Sequence, residues 1–211
     1  MKNIDLPTNL NPLYEAYNNV IKPLIAEIEV RYEQFPIVIF NEIRAFNDHI
    51  ARCYIRPDDN VWTNSQIRKA QSHIERMILD CYKFLNVSLY DNVIKDFDKR
   101  YKGVDLSYIN DGDFIIMHRR LSKEIILKLK EAKLKEHNED KSESIALYQE
   151  VHNKYTELEN LIDSNARNLY WAKGKHKINR FNNIILWFVS AILSGIVSPY
   201  LIQYIIECIK L

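Results

Sequence analysis

The sequence predicts an all-α protein, a helical bundle that ends in a C-terminal transmembrane helix. Only four of its 211 residues are glycine, so the chain has little of the turn chemistry that a β-protein needs. The run from Ile184 to Ile206 contains no charged residue. We therefore divide the chain into a cytoplasmic helical bundle (1–166), a basic juxtamembrane segment (167–182) and a transmembrane helix with a short tail (183–211).

Proline marks the first two helices. Asn11 followed by Pro12 is a favoured helix opening, with a capping side chain before a proline in the first turn. We expect this helix to run to about Gln34 and to be kinked at Pro23, because proline removes one backbone hydrogen bond. A second helix is expected from Pro36 to about Ile55.

The third helix is predicted from a capping box. Thr63 and Gln66 have the spacing in which the two side chains cap the first turn, and the helix is expected to extend past Asp98. The segment from Lys102 to Asp113 contains two glycines and the run Asn-Asp-Gly-Asp, which is typical of a loop. This run lacks the spacing of a calcium loop, so the sequence predicts no metal there.

Two further helices follow the loop. The fourth is expected from Phe114 to about His137, with one face formed by Ile115, Ser122, Ile126 and Leu129. The fifth carries apolar or aromatic residues at alternating spacings of three and four: Tyr148, Val151, Tyr155, Leu158, Ile162, Asn165 and Leu169. Such a seam is consistent with a coiled coil or with a helix that packs inside the bundle.

Composition excludes several classes of protein. Cys53, Cys81 and Cys208 are widely spaced and odd in number, which indicates neither a disulfide framework nor a zinc site. There is no Walker motif, dinucleotide fingerprint or catalytic triad motif, and we expect no cofactor. The polar, proline-broken N-terminal residues do not resemble a signal peptide, so the bulk of the chain is expected in a reducing cytosol.

The C-terminal segment has the properties of a membrane span. Its 23 uncharged residues from Ile184 to Ile206 would reach about 35 Å as a helix, enough for a hydrocarbon core of about 30 Å. The alternative is a helix buried in the core of the protein. The flanking cations Lys173, Lys175, Lys177 and Arg180 predict a cytoplasmic N-terminal side by the positive-inside rule.

Small residues form one face of this segment. Ser190, Ser194 and Ser198 recur every four residues, and Ala191 and Gly195 form a second small pair beside them. Small residues let helices approach closely in lipid, so we expect the segment to support a homo-oligomer, and its serines could line a polar path. In a single anchor, the same serines would bond to their own helix.

Two copies of one motif lie on neighbouring helices. Residues 44–52 and 68–76 both fit R-x4-H-I-x-R, with Arg44, His49 and Arg52 in the first and Arg68, His73 and Arg76 in the second. If the helices are antiparallel, the two motifs face the same part of the molecule. The arginines form either a solvated, charge-paired face or a site that holds RNA or a nucleotide through its phosphates.

The R-x4-H motif resembles the active-site signature of the HEPN ribonucleases, which are all-helical. The resemblance implies that His49 and His73 act as general acid and base on the ribose 2′-OH and the leaving oxygen, while Arg44 and Arg68 hold the phosphate. Ala45 and Lys69 depart from the pattern, because a polar Asn, Asp or His usually follows the arginine.

The layout of a small HEPN-like domain and one membrane segment resembles membrane accessory proteins of bacterial CRISPR and related antiphage systems. That resemblance implies an inner-membrane oligomer that perturbs the membrane when infection is sensed. Three hypotheses result: a membrane effector that responds to a cytoplasmic cue, a membrane-tethered ribonuclease, and a tail-anchored adaptor that recruits a cytosolic protein through the charged helix before His137.

Overall fold

A computed structural model describes residues 10–33, 35–138 and 140–209 of the chain. Within these ranges 88% of the protein is helical and no strand occurs, which confirms the all-α prediction. Gln34, the expected end of the first helix, lies outside the described residues, as does the end of the C-terminal tail.

Three segments form the first helix: α1 (Asn11–Ala16), a π-helical turn (Tyr17–Ile21) and α2 (Lys22–Tyr32). The turn contains Asn19, whose carbonyl an α-helix would bring against the ring of Pro23. The proline is therefore accommodated by a widened turn ahead of it. The opening differs from the prediction, because Leu10 is the N-cap and Asn11 is already helical.

The next two helices are α3 (Ile37–Cys53) and α4 (Asn60–Leu89). The capping-box prediction is wrong: Asp59 caps α4 by accepting a hydrogen bond from the backbone N–H of Trp62 at 2.9 Å. Thr63 and Gln66 are both buried, and their side chains bond to other partners. The helix starts four residues earlier than expected because the aspartate is the better cap.

A second π-helical turn (Tyr90–Lys95) and α5 (Asp96–Arg100) continue α4 without a break. After a loop and a short 3₁₀ turn (Asn110–Gly112) come α6 (Asp113–Lys135) and α7 (Ser142–Ser164). The last helix, α8 (Ala166–Ile209), includes Pro199 in its interior.

The chain forms two compact units. The first consists of Met1–Arg100 and His118–Leu161. Its buried side chains come from every helix it contains and include Ile28, Phe46, Met77, Leu85, Ile125 and Tyr148. Tyr148 also donates a hydrogen bond to the carboxylate of Glu136, which pairs with Lys83 at 2.8 Å.

The second unit consists of Tyr101–Met117 and Ile162–Leu211. Its loop is fixed to its helix at two points: Asn110 donates a hydrogen bond to the side-chain oxygen of Asn165 at 2.9 Å, and Gly103 approaches His176. The φ of Gly103 is +78°, and a Cβ there would lie 3.8 Å from the His176 ring. A positive φ of this kind favours glycine.

The buried residues differ from the predicted apolar face of α6, and they show how the seam of the fifth predicted helix is packed. In α6 the expected face is wrong by one position: Ile126 is 49% exposed, whereas Phe114, Leu121, Ile125 and Ala132 are buried. In the seam of the fifth predicted helix, all residues but Ile162 are buried in the single chain. Packing inside the protein therefore accounts for this seam without a coiled coil.

Candidate functional site

The two R-x4-H motifs meet in the hairpin of α3 and α4. The rings of His49 and His73 are stacked, with centroids 5.2 Å apart and planes 22° apart. Both lie part-buried in the first unit. The helices are antiparallel, because His49 contacts Gln66 near the start of α4 while His73 contacts Glu42 near the start of α3.

Each histidine is oriented through its Nδ1 atom. The distance from His49 Nδ1 to Gln66 Oε1 is 2.8 Å, and that from His73 Nδ1 to Glu42 Oε2 is 2.6 Å. Both partners are acceptors, so in each ring Nδ1 carries the proton and donates it. In this tautomer the Nε2 atom of each ring carries the lone pair and is the acceptor.

The four arginines are all exposed, and two of them contact polar side chains of the same hairpin. Arg52 pairs with Asp48 at 2.7 Å. Arg76 donates to Ser72 Oγ at 3.2 Å and has a nitrogen 4.0 Å from Glu42 Oε2. These contacts fit the charge-paired face that the spacing predicts.

Arg44 and Arg68 have no ion pair among the residues that the structure describes. At 3.6 residues per turn, each lies roughly 140° around its helix from the histidine five positions later. Arg52 and Arg76 are three positions after their histidines and share a helix face with them. Of the four arginines, Arg52 and Arg76 are therefore the two that share a helix face with a histidine.

One carboxylate contacts His73, and a second carboxylate, Asp80, interacts with the first. Burial raises the pKa of the Asp80 carboxyl, and the negative charge of Glu42 acts in the same direction. Glu42 itself accepts from His73 and lies near Arg76. This arrangement gives His73 the carboxylate partner that orients a general base, whereas His49 has a neutral amide.

Sequence reasoning missed Glu42 and Gln66. Both are inside helices and have no motif of their own. In an antiparallel hairpin about Asn60, the residues level with His49 and His73 are Gln71 and Asn47, so the expected register does not point to Gln66 or Glu42. Glu42 and Gln66 are the second pair of residues in this site.

The C-terminal helix is the second candidate site. One helix, Ala166–Ile206, is long and apolar enough to cross a membrane. Its described side chains from Lys177 to Ile206 are all exposed, so none of the residues that the structure describes covers the apolar segment. Within the described ranges, the helix is therefore not buried in a core of the protein.

The small residues proposed for self-association lie in this exposed stretch. Ser190, Ala191, Ser194, Gly195 and Ser198 are all exposed, and a Cβ on Gly195 would meet no other atom within 4 Å. The helix continues through Pro199, and proline is tolerated inside membrane helices. Among residues 10–33, 35–138 and 140–209, nothing occupies this face.

The flanking cations differ in their surroundings. Lys173 Nζ lies 5.7 Å from the ring centroid of Tyr101. Lys175 Nζ lies 3.9 Å from the centroid of Tyr108 and 4.9 Å from that of Trp171. Lys177 and Arg180 are exposed further along the helix.

The cysteines do not form a reactive centre in the described part of the chain. Cys53 and Cys81 are free and buried, and burial raises the pKa of the Cys81 thiol to about 12. Such a thiol is protonated and inert at neutral pH. Across the described residues, no group of three or more His, Cys, Asp or Glu side chains is arranged to hold a metal ion.

Comparisons with known proteins assign no family. No family model, curated protein or solved structure matches this chain.

Proposed function

We propose that this protein is a single-pass membrane effector that self-associates through α8 and perturbs the membrane in response to a cytoplasmic cue. The observation that carries the proposal is the exposed apolar helix, because a patch of this size is covered in a working protein by lipid or by other copies of the chain. By the positive-inside rule, the cationic residues before Ile184 would keep the first unit on the cytoplasmic side. The resemblance to accessory proteins of antiphage systems suggests the bacterial inner membrane.

The small-residue face supports self-association. In lipid, helices gain little from the hydrophobic effect when they associate, so close packing and hydrogen bonds decide which faces meet. Ser190, Ser194 and Ser198 supply hydroxyls along one stripe, and Gly195 has open space around it. An oligomer that brings these stripes together would have a polar interior through the hydrocarbon core.

Membrane potential in cells that express the protein tests this proposal. We expect the wild type to depolarise the membrane and Ser194→Leu with Gly195→Leu to weaken the effect, because leucine at both positions holds neighbouring helices apart. The variant remains inserted, since leucine makes the segment more apolar. A matched control is Leu193→Ile with Val197→Leu, which changes apolar residues of the same segment and keeps the small face.

Each outcome at equal membrane abundance points to one hypothesis. Depolarisation that falls only in the Ser194/Gly195 variant supports the effector. No change of potential with any protein contradicts it and favours an adaptor, whose anchor only needs to be apolar and long enough.

A second candidate is a membrane-tethered ribonuclease of the HEPN type, which the stacked histidines favour. The two imidazoles lie in one chain at a spacing suited to acid and base catalysis on a single phosphodiester. His73, oriented by Glu42, would take the proton from the ribose 2′-OH, and protonated His49 would give a proton to the leaving oxygen. Arg52 and Arg76 would stabilise the charge that develops on the phosphate.

Cleavage of single-stranded RNA by the purified protein tests this candidate. We expect His49→Ala with His73→Ala to abolish cleavage while the helix content is kept. His137→Ala removes an exposed histidine outside the site and serves as the control. Absence of cleavage by the wild type would remove the ribonuclease hypothesis, and equal activity of the double variant would show that these histidines do not carry it.

A further inference from the structure

We propose that the second unit has a binding surface for the headgroups of anionic phospholipids. This headgroup surface consists of Tyr101 and Tyr108 from the loop and Trp171, Lys173 and Lys175 from α8. The inference rests on the proposed anchoring of α8 in a membrane. It adds a preference for lipid charge, which an apolar span by itself does not have.

The loop is held on the helix as a fixed part of this surface. Asn110 donates a hydrogen bond to Asn165 at 2.9 Å, and Gly103, which turns the backbone at a positive φ, lies near the ring of His176. Leu106 and Ile109 are buried, so the loop is anchored between these two points. Tyr108, by contrast, is 58% exposed and Trp171 is 54% exposed, which leaves aromatic surface open to a partner.

The aromatic rings position the two lysines without neutralising them. Lys175 Nζ lies 3.9 Å from the ring centroid of Tyr108 and 4.9 Å from that of Trp171. Lys173 Nζ lies 5.7 Å from the ring centroid of Tyr101. A cation–π contact orders an ammonium group and leaves its positive charge in place. Its N–H donors remain able to bind a phosphate oxygen.

Charge complementarity identifies an anion as the partner. From residue 164 to residue 206 the chain contains five Lys or Arg side chains and no Asp or Glu. The loop itself carries Lys102, Asp105, Asp111 and Asp113. Asp105 interacts with Lys175: Ser107 donates two hydrogen bonds to its carboxylate and holds its pKa below the ordinary value, and the charge of Lys175 acts in the same direction. Asp105 therefore reduces the positive potential at Lys175 and should weaken anion binding.

The position of the surface along α8 identifies the anion as a lipid headgroup. Lys175 precedes Ile184 by nine residues, about 13 Å at 1.5 Å per residue. A headgroup layer is roughly 5–8 Å thick on each side of the hydrocarbon core. A lysine side chain adds several ångströms of reach toward the membrane, so Lys175 reaches the cytoplasmic edge of this layer. Lys173 lies about 3 Å farther out and adds its charge to the potential there, while Arg180, about 6 Å from Ile184, lies within the layer.

The test uses the full-length protein labelled with 5-fluorotryptophan in zwitterionic detergent micelles. Dihexanoyl phosphatidylglycerol is titrated in, and the ¹⁹F resonance of Trp171 is followed, assigned by its loss in Trp171→Phe. We expect a saturable shift with this lipid and none with dihexanoyl phosphatidylcholine. Near an anionic surface each basic residue contributes roughly fivefold in affinity, so Lys173→Gln with Lys175→Gln should weaken binding about 25-fold.

Two control variants make the test specific. Lys130→Gln with Lys133→Gln removes the same charge from exposed positions of α6 and should bind like the wild type. Asp105→Asn should bind more tightly. Equal shifts with both lipids, or equal weakening by both lysine pairs, would overturn the proposal, and so would an equal shift with sodium phosphate alone, because the partner would then be a free anion.

Failure of this inference is distinguishable from failure of the anchor. Resistance of the protein to alkaline carbonate extraction reports insertion and does not depend on lipid charge. A protein that is inserted but shows no preference for phosphatidylglycerol retains its anchor and lacks the headgroup surface.

Discussion

Two lysines in the middle of the apolar segment, Ile192→Lys with Val197→Lys, should release the protein from membranes. Thirteen of the 23 residues from Ile184 to Ile206 are Leu, Ile, Val or Phe, and each favours insertion by about 0.3–0.6 kcal/mol, or about 4–8 kcal/mol together. A lysine near the centre costs about 2.5–3.5 kcal/mol and also removes one apolar contribution. Two lysines therefore cost about 6–8 kcal/mol, which offsets the whole favourable sum.

The assay is the fraction of protein that stays in the pellet after alkaline carbonate extraction. Val30→Lys with Val61→Lys is a charge-matched control, because these valines are 83% and 82% exposed in the first unit. We expect the control to remain in the pellet, the single variant Ile192→Lys to be partly extracted, and the double variant to be soluble or degraded. A double variant that stays in the pellet as fully as the wild type would refute insertion of α8.

Three further outcomes are expected from the packing of the first unit. Gln66→Leu should lower the free energy of unfolding by about 1–3 kcal/mol in urea denaturation, because the substitution leaves the part-buried His49 Nδ1 without an acceptor. As a control, Gln71→Leu at an exposed position should change the free energy of unfolding by less than about 0.5 kcal/mol. Burial lowers the pKa of the His118 imidazole, so the unfolded chain binds a proton at this histidine more tightly than the folded chain, and stability is lost as the pH falls below about 6.5. Between pH 7.5 and 5.5 the urea midpoint should therefore fall more in the wild type than in His118→Gln. Equal falls would contradict this reasoning. In a Cys53→Ser, Cys208→Ser background, Cys81 should resist a thiol reagent at pH 8 until the protein is unfolded, because burial raises the pKa of its thiol to about 12; rapid labelling of the folded protein would show that the thiol is accessible.

Helix positions were predictable where a local signal decides them. Pro36 and the loop before Asp113 set boundaries that the structure reproduces within two or three residues. The start of α4 was misjudged because Thr63 and Gln66 have capping-box spacing, whereas Asp59 provides the cap. Asp59 and Thr63 are both favoured N-cap residues, and local spacing alone does not show which of them caps the helix.

The histidine pair was predictable only to the level of the hairpin. Spacing along two antiparallel helices places His49 and His73 on a common level, and the stack agrees with that register. The choice of Gln66 and Glu42 as their partners depends on side-chain rotamers between helices. Patterns within one helix do not contain this information.

The association of the loop with α8 was not predictable. Tyr108 and Lys175 are 67 positions apart, and neither belongs to a periodic pattern that would link them. The one-residue error in the apolar face of α6 has a related cause. Ile115 and Ile126 are apolar in sequence, but the position of the neighbouring helices decides which of several apolar residues is buried.

The continuity of α8 makes it a stiff lever. The helix runs without interruption from Ala166 to Ile209, and the 18 residues before Ile184 extend about 27 Å beyond the proposed span. A tilt of about 10° in the bilayer would move the cytoplasmic end sideways by roughly 5 Å over that length. A change of bilayer thickness, which membrane helices accommodate by tilting, would thereby be transmitted as a displacement to the end of α8 that lies farthest from the lipid.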